Sequence, residues 1–255
     1  MSQTATVASV ALITGASRGI GRATAYAFAE RGLAVFLAAD GDVAEVRSAA
    51  EECVKRGAPA AGHGIFDFAQ SGEAERMVEA CLARFERVDV LVNNAAIRCR
   101  KLFGDFTHAD FDRLVAVNLA APFFASQAVV PSMRKQGGGR IIHVASQMGT
   151  VTGPLHAVYG ITKAGLIHLT RSMALELAKD RILVNSVSPG PTASQFNLDN
   201  WAADPASRER LVGNIPLGRP GLPEEIAEAI VFLATSKGGF IQGHDLLVDG
   251  GYIIH

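Results

Sequence analysis

Three residues in the second half of the chain have the types and spacing that move a proton. Tyr159 and Lys163 are four positions apart in Tyr159-Gly160-Ile161-Thr162-Lys163, so on a helix both side chains lie on one face. A lysine ammonium beside a phenol stabilises the phenolate and lowers the phenol pKa from about 10. Tyr159 is therefore a candidate general acid or base near neutral pH. Ser146, thirteen positions earlier, could hold a substrate oxygen beside it.

A glycine-rich segment near the N-terminus has the pattern of a phosphate-binding turn. It follows an apolar run and opens an amphipathic stretch, and it reads Thr14-Gly15-Ala16-Ser17-Arg18-Gly19-Ile20-Gly21. Gly15 permits a tight turn, Gly19 lets backbone approach a pyrophosphate at a helix N-terminus, and Gly21 allows close helix–strand contact. The alternative is a turn whose glycines serve only backbone geometry. The strand-then-helix context favours a dinucleotide site.

Apolar runs of strand length alternate with helical patterns along the chain, as in parallel β-α-β units. Strands are predicted at Val7–Ile13, Ala34–Ala39, His63–Phe66, Val88–Val92, Arg140–Ala145, Ile182–Val187 and Leu246–Val248. Helices are predicted at Arg18–Arg31, Val43–Arg56, Glu73–Phe85, Asp110–Arg134, Val158–Ala178 and Leu222–Ala234. The strands are apolar on both faces, which a sheet covered by helices requires.

These elements predict an α/β fold, a single Rossmann-type domain over residues 1–255. Its doubly wound parallel sheet would have about seven strands, with helices on both faces. Residues 189–221 are rich in Pro, Asn and Gly and are predicted to be one irregular substrate loop or lid.

Composition excludes several other classes of protein. The 49% of apolar and 19% of charged residues exclude a disordered chain. The net charge of −1 argues against nucleic-acid binding, which needs a basic surface. Three scattered cysteines form no disulfide framework and no metal pattern, and no signal peptide precedes them, so a cytoplasmic location is expected. The uncharged stretch from 115 to 133 contains Asn and Pro, which indicates a buried helix rather than a membrane span.

The T-G-x-x-x-G-x-G spacing together with Tyr-x-x-x-Lys resembles the short-chain dehydrogenase/reductase family, over nearly the whole chain. The resemblance implies an NAD(P)-dependent oxidoreductase that transfers a hydride between the nicotinamide and a secondary alcohol or ketone. Tyr159 would exchange the hydroxyl proton, Lys163 would lower its pKa and bind the nicotinamide ribose, and Ser146 would orient the substrate oxygen. Asn118 resembles a family asparagine that holds a water in a proton relay with Lys163; bonding only to backbone is the alternative.

Other segments extend the resemblance, with departures. Asn93-Asn94-Ala95-Ala96 is similar to an Asn-Asn-Ala-Gly motif, Gly160 stands where relatives have Ser, and Ser194 where they often have Thr. Asp67 matches an acidic residue near adenine, although it could equally be a helix N-terminal acid. The predicted cofactor-binding residues are Gly15, Ser17, Arg18, Gly19, Ile20, Gly21, Asp40, Asp67, Phe68, Asn94, Ala95, Tyr159, Lys163, Pro189, Gly190, Thr192 and Ser194.

The choice between NAD and NADP depends on the end of the second predicted strand. NAD-preferring relatives commonly place an acid eighteen residues after the last motif glycine; here that position is Ala39, and Asp40 follows. A carboxylate near a 2′-phosphate costs electrostatic energy, so NAD is favoured. Arg18, within the motif, could contact a phosphate and argues the other way.

Polar residues near the expected nicotinamide position suggest a small polar substrate such as a sugar, a polyol, or a hydroxy or sugar acid. Arg98 could bind a carboxylate, and Gln147 with His156 could bond hydroxyls. Trp201 would either close over the substrate or anchor an interface. The predicted substrate residues are Arg98, Ser146, Gln147, His156, Tyr159 and Trp201. The alternative is that Arg98 and Arg100 form a solvated loop.

Two other functions remain open. A 3-oxoacyl-[acyl-carrier-protein] reductase would prefer a basic surface and NADPH, and Asp40 and the net charge count against it. An NAD(H)-binding regulatory or scaffold protein could use the same fold, but it would not need Ser146, Tyr159 and Lys163. The resemblance also implies a homo-oligomer, a tetramer or a dimer. The composition predicts no nucleic-acid partner, no membrane partner and no metal.

Overall fold

Seven parallel strands form one sheet in a computed structural model that describes residues 8–254, apart from the side chains at 196 and 200. The spatial order is β3-β2-β1-β4-β5-β6-β7. The strands are β1 (Val10–Thr14), β2 (Ala34–Ala39), β3 (Ala61–Ile65), β4 (Val90–Asn93), β5 (Gly139–Val144), β6 (Ile182–Pro189) and β7 (Asp245–Val248). The predicted α/β fold with a doubly wound parallel sheet is confirmed. Val7, predicted to begin the first strand, lies outside the described residues.

Helices cover both faces of the sheet. They are α1 (Gly19–Glu30), α2 (Val43–Lys55), α3 (Glu73–Phe85), α4 (His108–Val115), α5 (Ala121–Lys135), α6 (Ala157–Leu177), α7 (Gln195–Ala203), α8 (Pro205–Gly213) and α9 (Pro223–Thr235). One apolar layer lies between the sheet and α1, α2 and α9, and the other between the sheet and α3, α5 and α6.

The continuous apolar strands follow from these two layers. In β1, Ala11 and Ile13 belong to the layer under α1 and α9, whereas Val10 and Leu12 belong to the layer under α3 and α5. Successive side chains of a strand point to opposite faces, so a strand buried on both sides needs apolar residues at every position. All five residues of β1 are buried.

The helix predicted at Asp110–Arg134 is interrupted. A π turn at Ala116–Ala120 separates α4 from α5, and Thr107 caps α4 by accepting a bond from the Asp110 amide. In the described chain, this one helical segment, His108–Lys135, is apolar and long enough to cross a membrane. Half of its most apolar window is buried and α5 packs on α3, as in the core helix of a globular fold.

The prediction of one irregular loop at residues 189–221 is wrong for the central part of that segment, which contains α7 and α8. Asp204 caps α8, because its carboxylate accepts a bond from the Ser207 amide at 3.0 Å, and Pro205 occupies the first turn. Proline is tolerated there because that amide has no partner within the helix. Some of the residues that suggested a loop lie within these helices, namely Asn197, Asn200, Pro205 and Gly213, and the others lie before Gln195 or after Gly213.

Candidate active site

A cleft of about 370 Å³ opens at the carboxyl ends of the strands, where the strand order reverses between β1 and β4. Open parallel sheets bind ligands at this point. Fifteen of the seventeen predicted cofactor residues line it: Gly15, Ser17, Arg18, Ile20, Asp40, Asp67, Phe68, Asn94, Ala95, Tyr159, Lys163, Pro189, Gly190, Thr192 and Ser194. Gly19 and Gly21 do not line this cleft.

Gly21 has a structural role in shaping the turn. A Cβ at Gly21 would lie 2.2 Å from the Gly15 carbonyl oxygen, and one at Gly15, where φ is +63°, would lie 2.9 Å from the Ala95 Cα. Asn94 Nδ2 donates to the carbonyl oxygens of Thr14 at 2.8 Å and Gly15 at 3.2 Å. The turn between β1 and α1 is thus held tightly against the segment after β4.

The start of α1 fits a dinucleotide. Arg18 is the residue before its first turn, no side chain caps that turn, and no acidic residue lies within it. The positive end of the helix dipole therefore faces the cleft with amide groups available for a pyrophosphate. Gly19, with φ of +57° and its nearest neighbour the Ser194 Cβ at 3.6 Å, keeps this approach open. The residues present fit NAD(P).

Thr14 is a site residue that sequence reasoning missed. Its hydroxyl accepts bonds from the amides of Asn94 and Ala95, both at 2.9 Å. Because these bonds join β1 to the segment after β4, they fix the floor of the cleft. The signal was present, since Thr14 is the first residue of the glycine pattern.

Two acids lie toward the β2–β3 end of the cleft. Asp40 follows β2 directly, is exposed, and lines the cleft. Asp67 follows β3, and its carboxylate accepts a bond from the Ala69 amide at 3.1 Å. This bond closes a local turn, so the Asp67 carboxylate also stabilises the backbone after β3.

The residues predicted to transfer a proton meet at the opposite end of the cleft. Tyr159 and Lys163 on α6 are both buried, and the Lys163 Nζ lies 5.8 Å from the centre of the Tyr159 ring. Nζ donates to the Val144 carbonyl at 2.7 Å, which anchors the ammonium at the end of β5. Ser146 follows β5 and lines the same cleft as Tyr159, so α6 and the end of β5 bring the three predicted residues together.

The charges around Tyr159 favour its phenolate. Burial raises the pKa of Tyr159, but the charges of Arg98 and Lys163 and the hydrogen bonds of Arg98 and Ser146 outweigh it, and the pKa is lowered. Burial lowers the pKa of Lys163, the Tyr159 phenolate opposes that change, and Arg98 adds to it. The phenol is thus tuned toward neutral pH, as a general base requires.

Asn118 lies in the π turn with its side-chain amide fully engaged. Its Oδ1 accepts from the Ile97 amide at 2.9 Å, and its Nδ2 faces the Ile97 carbonyl at 3.0 Å and the Thr162 hydroxyl at 3.3 Å. The side chain therefore joins α6 to the segment after β4. The side-chain amide that would hold a relay water already has protein partners. The relay role of Asn118 stays a prediction.

A second cavity of about 300 Å³ opens beside Tyr159 and is lined by all six predicted substrate residues: Arg98, Ser146, Gln147, His156, Tyr159 and Trp201. Gln147 is buried, and its Oε1 has no hydrogen-bond partner among the described residues. Nδ1 of His156 donates to the Pro154 carbonyl at 2.7 Å. Burial, opposed in part by that bond, lowers the pKa of His156, so the imidazole is neutral near pH 7.

Helices α7 and α8 form the outer wall of this cavity. Trp201 is buried on α7, and Asp204 and Leu211 also line the cavity. Asn197, which the sequence did not single out, accepts a bond from Arg98 Nη1 at 3.0 Å and donates to the Thr192 carbonyl at 2.7 Å. Its contact with Arg98 closes the wall against the segment after β4.

Comparisons with known proteins agree with this geometry. A family model described as Enoyl-(Acyl carrier protein) reductase matches residues 15–253. The L-rhamnose 1-dehydrogenase (NAD(P)(+)) of Azotobacter vinelandii is 39% identical over 96% of each chain. A 3-oxoacyl-[acyl-carrier-protein] reductase of Synechocystis is 38% identical over 98% of this chain and 99% of that one.

A solved structure shares the fold throughout. It is described as an NAD(P)-dependent gluconate 5-dehydrogenase from Beutenbergia cavernae with NADP bound at low occupancy, and it is 32% identical over 98% of each chain with a TM-score of 0.90. These relatives are enzymes, so the regulatory or scaffold alternative is not supported. The chain belongs to the short-chain dehydrogenase/reductase family and is an NAD(P)-dependent dehydrogenase.

Proposed function

We propose that the enzyme interconverts a secondary alcohol and a ketone on a small polar substrate of the hydroxy-acid or sugar-acid class. One observation carries the proposal: Tyr159 and Ser146 line both the cofactor cleft and the neighbouring polar cavity. A substrate oxygen placed between them would therefore have its carbon facing the nicotinamide end of the cleft. The relatives' names include both sugar and acid substrates, which supports this class for the present chain.

The proposed reaction gives each residue of the site a role that its position supports. For oxidation, the Tyr159 phenolate takes the proton of the substrate hydroxyl, and Ser146 holds the same oxygen in place. Lys163, fixed by the Val144 carbonyl, keeps the phenolate stable by its charge. The nicotinamide, when bound, supplies the acceptor or donor for the hydride. Pro189 and Gly190 line both cavities, and a Cβ at Gly190 would meet Asp249 Cα at 2.6 Å.

The polar groups of the cavity favour a hydroxylated, anionic substrate. The Gln147 Oε1 is an acceptor without a partner among residues 8–254, and a substrate hydroxyl would satisfy it. Arg98 and Arg100 line the same cavity and would attract a carboxylate. Trp201 gives the wall one broad apolar surface that suits a sugar ring face. A cavity of about 300 Å³ is at the lower end of small-molecule sites.

For the cofactor, we propose NAD rather than NADP. Asp40 lies at the cleft end of β2, where the family fold places the adenosine ribose. Its carboxylate would bond the ribose hydroxyls and repel a 2′-phosphate. Steady-state kcat/KM for both cofactors tests this preference.

Tyr159→Phe, which removes the phenol oxygen and keeps the ring, is the first test of the mechanism. We expect turnover to fall by about a hundredfold or more while the affinity for cofactor is retained. Near wild-type turnover in this variant would refute the assignment. The substrate class is tested with sugar acids, hydroxy acids, neutral sugars, polyols, steroids and acyl thioesters; turnover confined to the apolar compounds would exclude the polar-pocket proposal.

Reduction of a 3-oxoacyl thioester is the second candidate function. The observation that favours it is the 38% identity to the Synechocystis 3-oxoacyl-[acyl-carrier-protein] reductase. An acyl-chain substrate would leave the Gln147 acceptor unsatisfied and would set an apolar chain beside Arg98 and Arg100, which disfavours it. Activity on 3-oxoacyl thioesters with NADPH, exceeding that on hydroxy acids, would make this the function.

We also propose a homotetramer. Apolar side chains are exposed on α5 and α6 and again near α9 and β7, namely Phe123, Phe124, Ile161, Phe232, Leu247 and Ile254. Exposed apolar side chains such as these are commonly buried in subunit interfaces. Light scattering on the purified protein tests the assembly. The cytoplasmic location and the expectation that no nucleic acid or membrane is a partner remain predictions.

A further inference from the structure

Arg98 lies against the phenol that the proposed reaction uses. Its guanidinium carbon is 5.2 Å from the centre of the Tyr159 ring, and its charge lowers the pKa of Tyr159. The Lys163 Nζ is 5.8 Å from the same ring centre. Arg98 approaches from the segment after β4, whereas Lys163 belongs to α6, so two cations from different elements flank one phenol.

Helix α7 helps to hold the guanidinium in this position. Asn197 accepts from Nη1 of Arg98 at 3.0 Å, and its own Nδ2 donates to the Thr192 carbonyl at 2.7 Å. An arginine has several donors in a rigid planar fork, so one of them can bond Asn197 while the guanidinium stays 5.2 Å from the centre of the Tyr159 ring. The guanidinium is thereby shared between the wall of the substrate cavity and the proton-transfer centre.

We propose that Arg98 is a second cation of the catalytic site, whose charge beside the Tyr159 ring stabilises the phenolate together with Lys163. The inference rests on the proposed role of Tyr159 as the proton-transfer group. Because Asn197 on α7 positions Arg98, full activity also requires α7 to be in place. A lid that opens by moving α7 would weaken the base at the same time as it releases the substrate.

The other groups facing Tyr159 do not replace this cation. The His156 ring is 6.3 Å away, and burial lowers its pKa. Ser146 is neutral, and His143 on β5 is buried beside Lys163 with its pKa lowered to about 3. Of the described cavity residues, Asp204 is the one carboxylate, and it caps α8 through the Ser207 amide.

The test compares Arg98→Gln with Arg100→Gln. Both changes remove one positive charge from the lining of the same cavity, but Arg98 and not Arg100 is among the main groups that lower the pKa of Tyr159. Both positions are exposed, so both variants should fold, which thermal melting would check. Arg98→Lys keeps the charge and loses the planar fork, and it should give an intermediate effect.

The first readout needs no substrate. Ultraviolet difference absorbance follows tyrosinate as pH rises, and subtraction of the Tyr159→Phe titration isolates Tyr159 from the other two tyrosines, Tyr26 and Tyr252. A charge at 5.2 Å, partly screened by solvent, predicts an upward move of the Tyr159 pKa by about one pH unit in Arg98→Gln. Arg100→Gln should leave that pKa unchanged.

The second readout is the pH dependence of kcat/KM for alcohol oxidation. Its acidic limb should move up by about one pH unit in Arg98→Gln, which is about a tenfold loss at a fixed pH below the limb. Identical titrations of Tyr159 in wild type and Arg98→Gln, or equal shifts in both glutamine variants, would overturn the proposal. Full activity in Tyr159→Phe would instead overturn the proposed function, while the absorbance titration would still report on Arg98.

Discussion

Lowering the pH below about 6.5 should destabilise this fold through one buried side chain, His143. His143 lies on β5 with 0% exposure. Its Nδ1 faces the Asn93 Nδ2 at 3.2 Å, and the same Nδ2 donates to the Ser126 hydroxyl at 3.1 Å. Because Asn93 is the donor, Nδ1 is the unprotonated nitrogen and Nε2 carries the hydrogen. Within the described chain Nε2 has no partner.

The magnitude follows from the surroundings of the imidazole. Burial, and then the charge of Lys163, lowers the pKa of His143 from 6.5 to about 3. The folded state therefore binds fewer protons than the unfolded state between these values. The stability contributed by neutral His143 is fully present above pH 6.5 and is lost as the pH falls toward 3, at about 1.4 kcal/mol per pH unit and about 5 kcal/mol in total.

Urea unfolding of wild type and His143→Asn between about pH 6.5 and 4.5 measures this loss. An asparagine Oδ1 can accept from Asn93 as Nδ1 does, and the amide does not titrate in this range. We expect the wild-type free energy of unfolding to fall by about 2 to 3 kcal/mol more than that of the variant. Other groups, His156 included, are common to both proteins and cancel in the difference.

Parallel curves for the two proteins would refute the reasoning, because they would show that His143 has the same proton affinity in both states. His143→Gln, whose amide reaches further toward the Nε2 position, serves as a second variant if the asparagine protein is too unstable to measure. It should show the same flattened pH dependence.

Two further predictions concern the cofactor cleft. Gly21→Ala places a methyl group 2.2 Å from the Gly15 carbonyl oxygen; we expect cofactor affinity to fall about tenfold or more and stability by about 1 to 3 kcal/mol, measured by titration and by unfolding. Gly104→Ala, where a Cβ has no neighbour within 4 Å, is the matched control, and an equal loss in both would contradict the steric argument. Asp40→Ala should raise the ratio of kcat/KM for NADP to that for NAD by about tenfold, since a carboxylate–phosphate repulsion is worth about 1 to 2 kcal/mol near the surface; an unchanged ratio would mean that Asp40 does not face the ribose.

The strands could be predicted because a continuous apolar run indicates burial on both faces of a sheet. Their boundaries were harder to predict, because a residue at a strand end can be buried without being paired to the next strand. Val88 is fully buried, yet β4 begins at Val90, and the predicted strand at His63–Phe66 is shifted to Ala61–Ile65. The site residues that follow a strand were found because strand ends converge on one edge of a parallel sheet.

Three features of the site had no local signal. The π turn around Asn118 inserts a residue into the helical repeat without changing its apolar character. Helices α7 and α8 are short, and turn-forming residues flank them. The contact between Arg98 and Asn197 joins positions 99 residues apart, and it depends on where α7 lies against the sheet rather than on either sequence neighbourhood.

The cofactor cleft has a consequence for how long the protein survives. Its walls come from the β1–β3 half and from the β4–β6 half, so only the completely folded chain binds a dinucleotide. By mass action, cofactor at a hundred times its Kd adds about 2.7 kcal/mol to the free energy of unfolding. Proteolysis that acts on opened chains would then slow about a hundredfold. The supply of oxidised or reduced nucleotide in a cell would thereby set the lifetime of this enzyme as well as its rate.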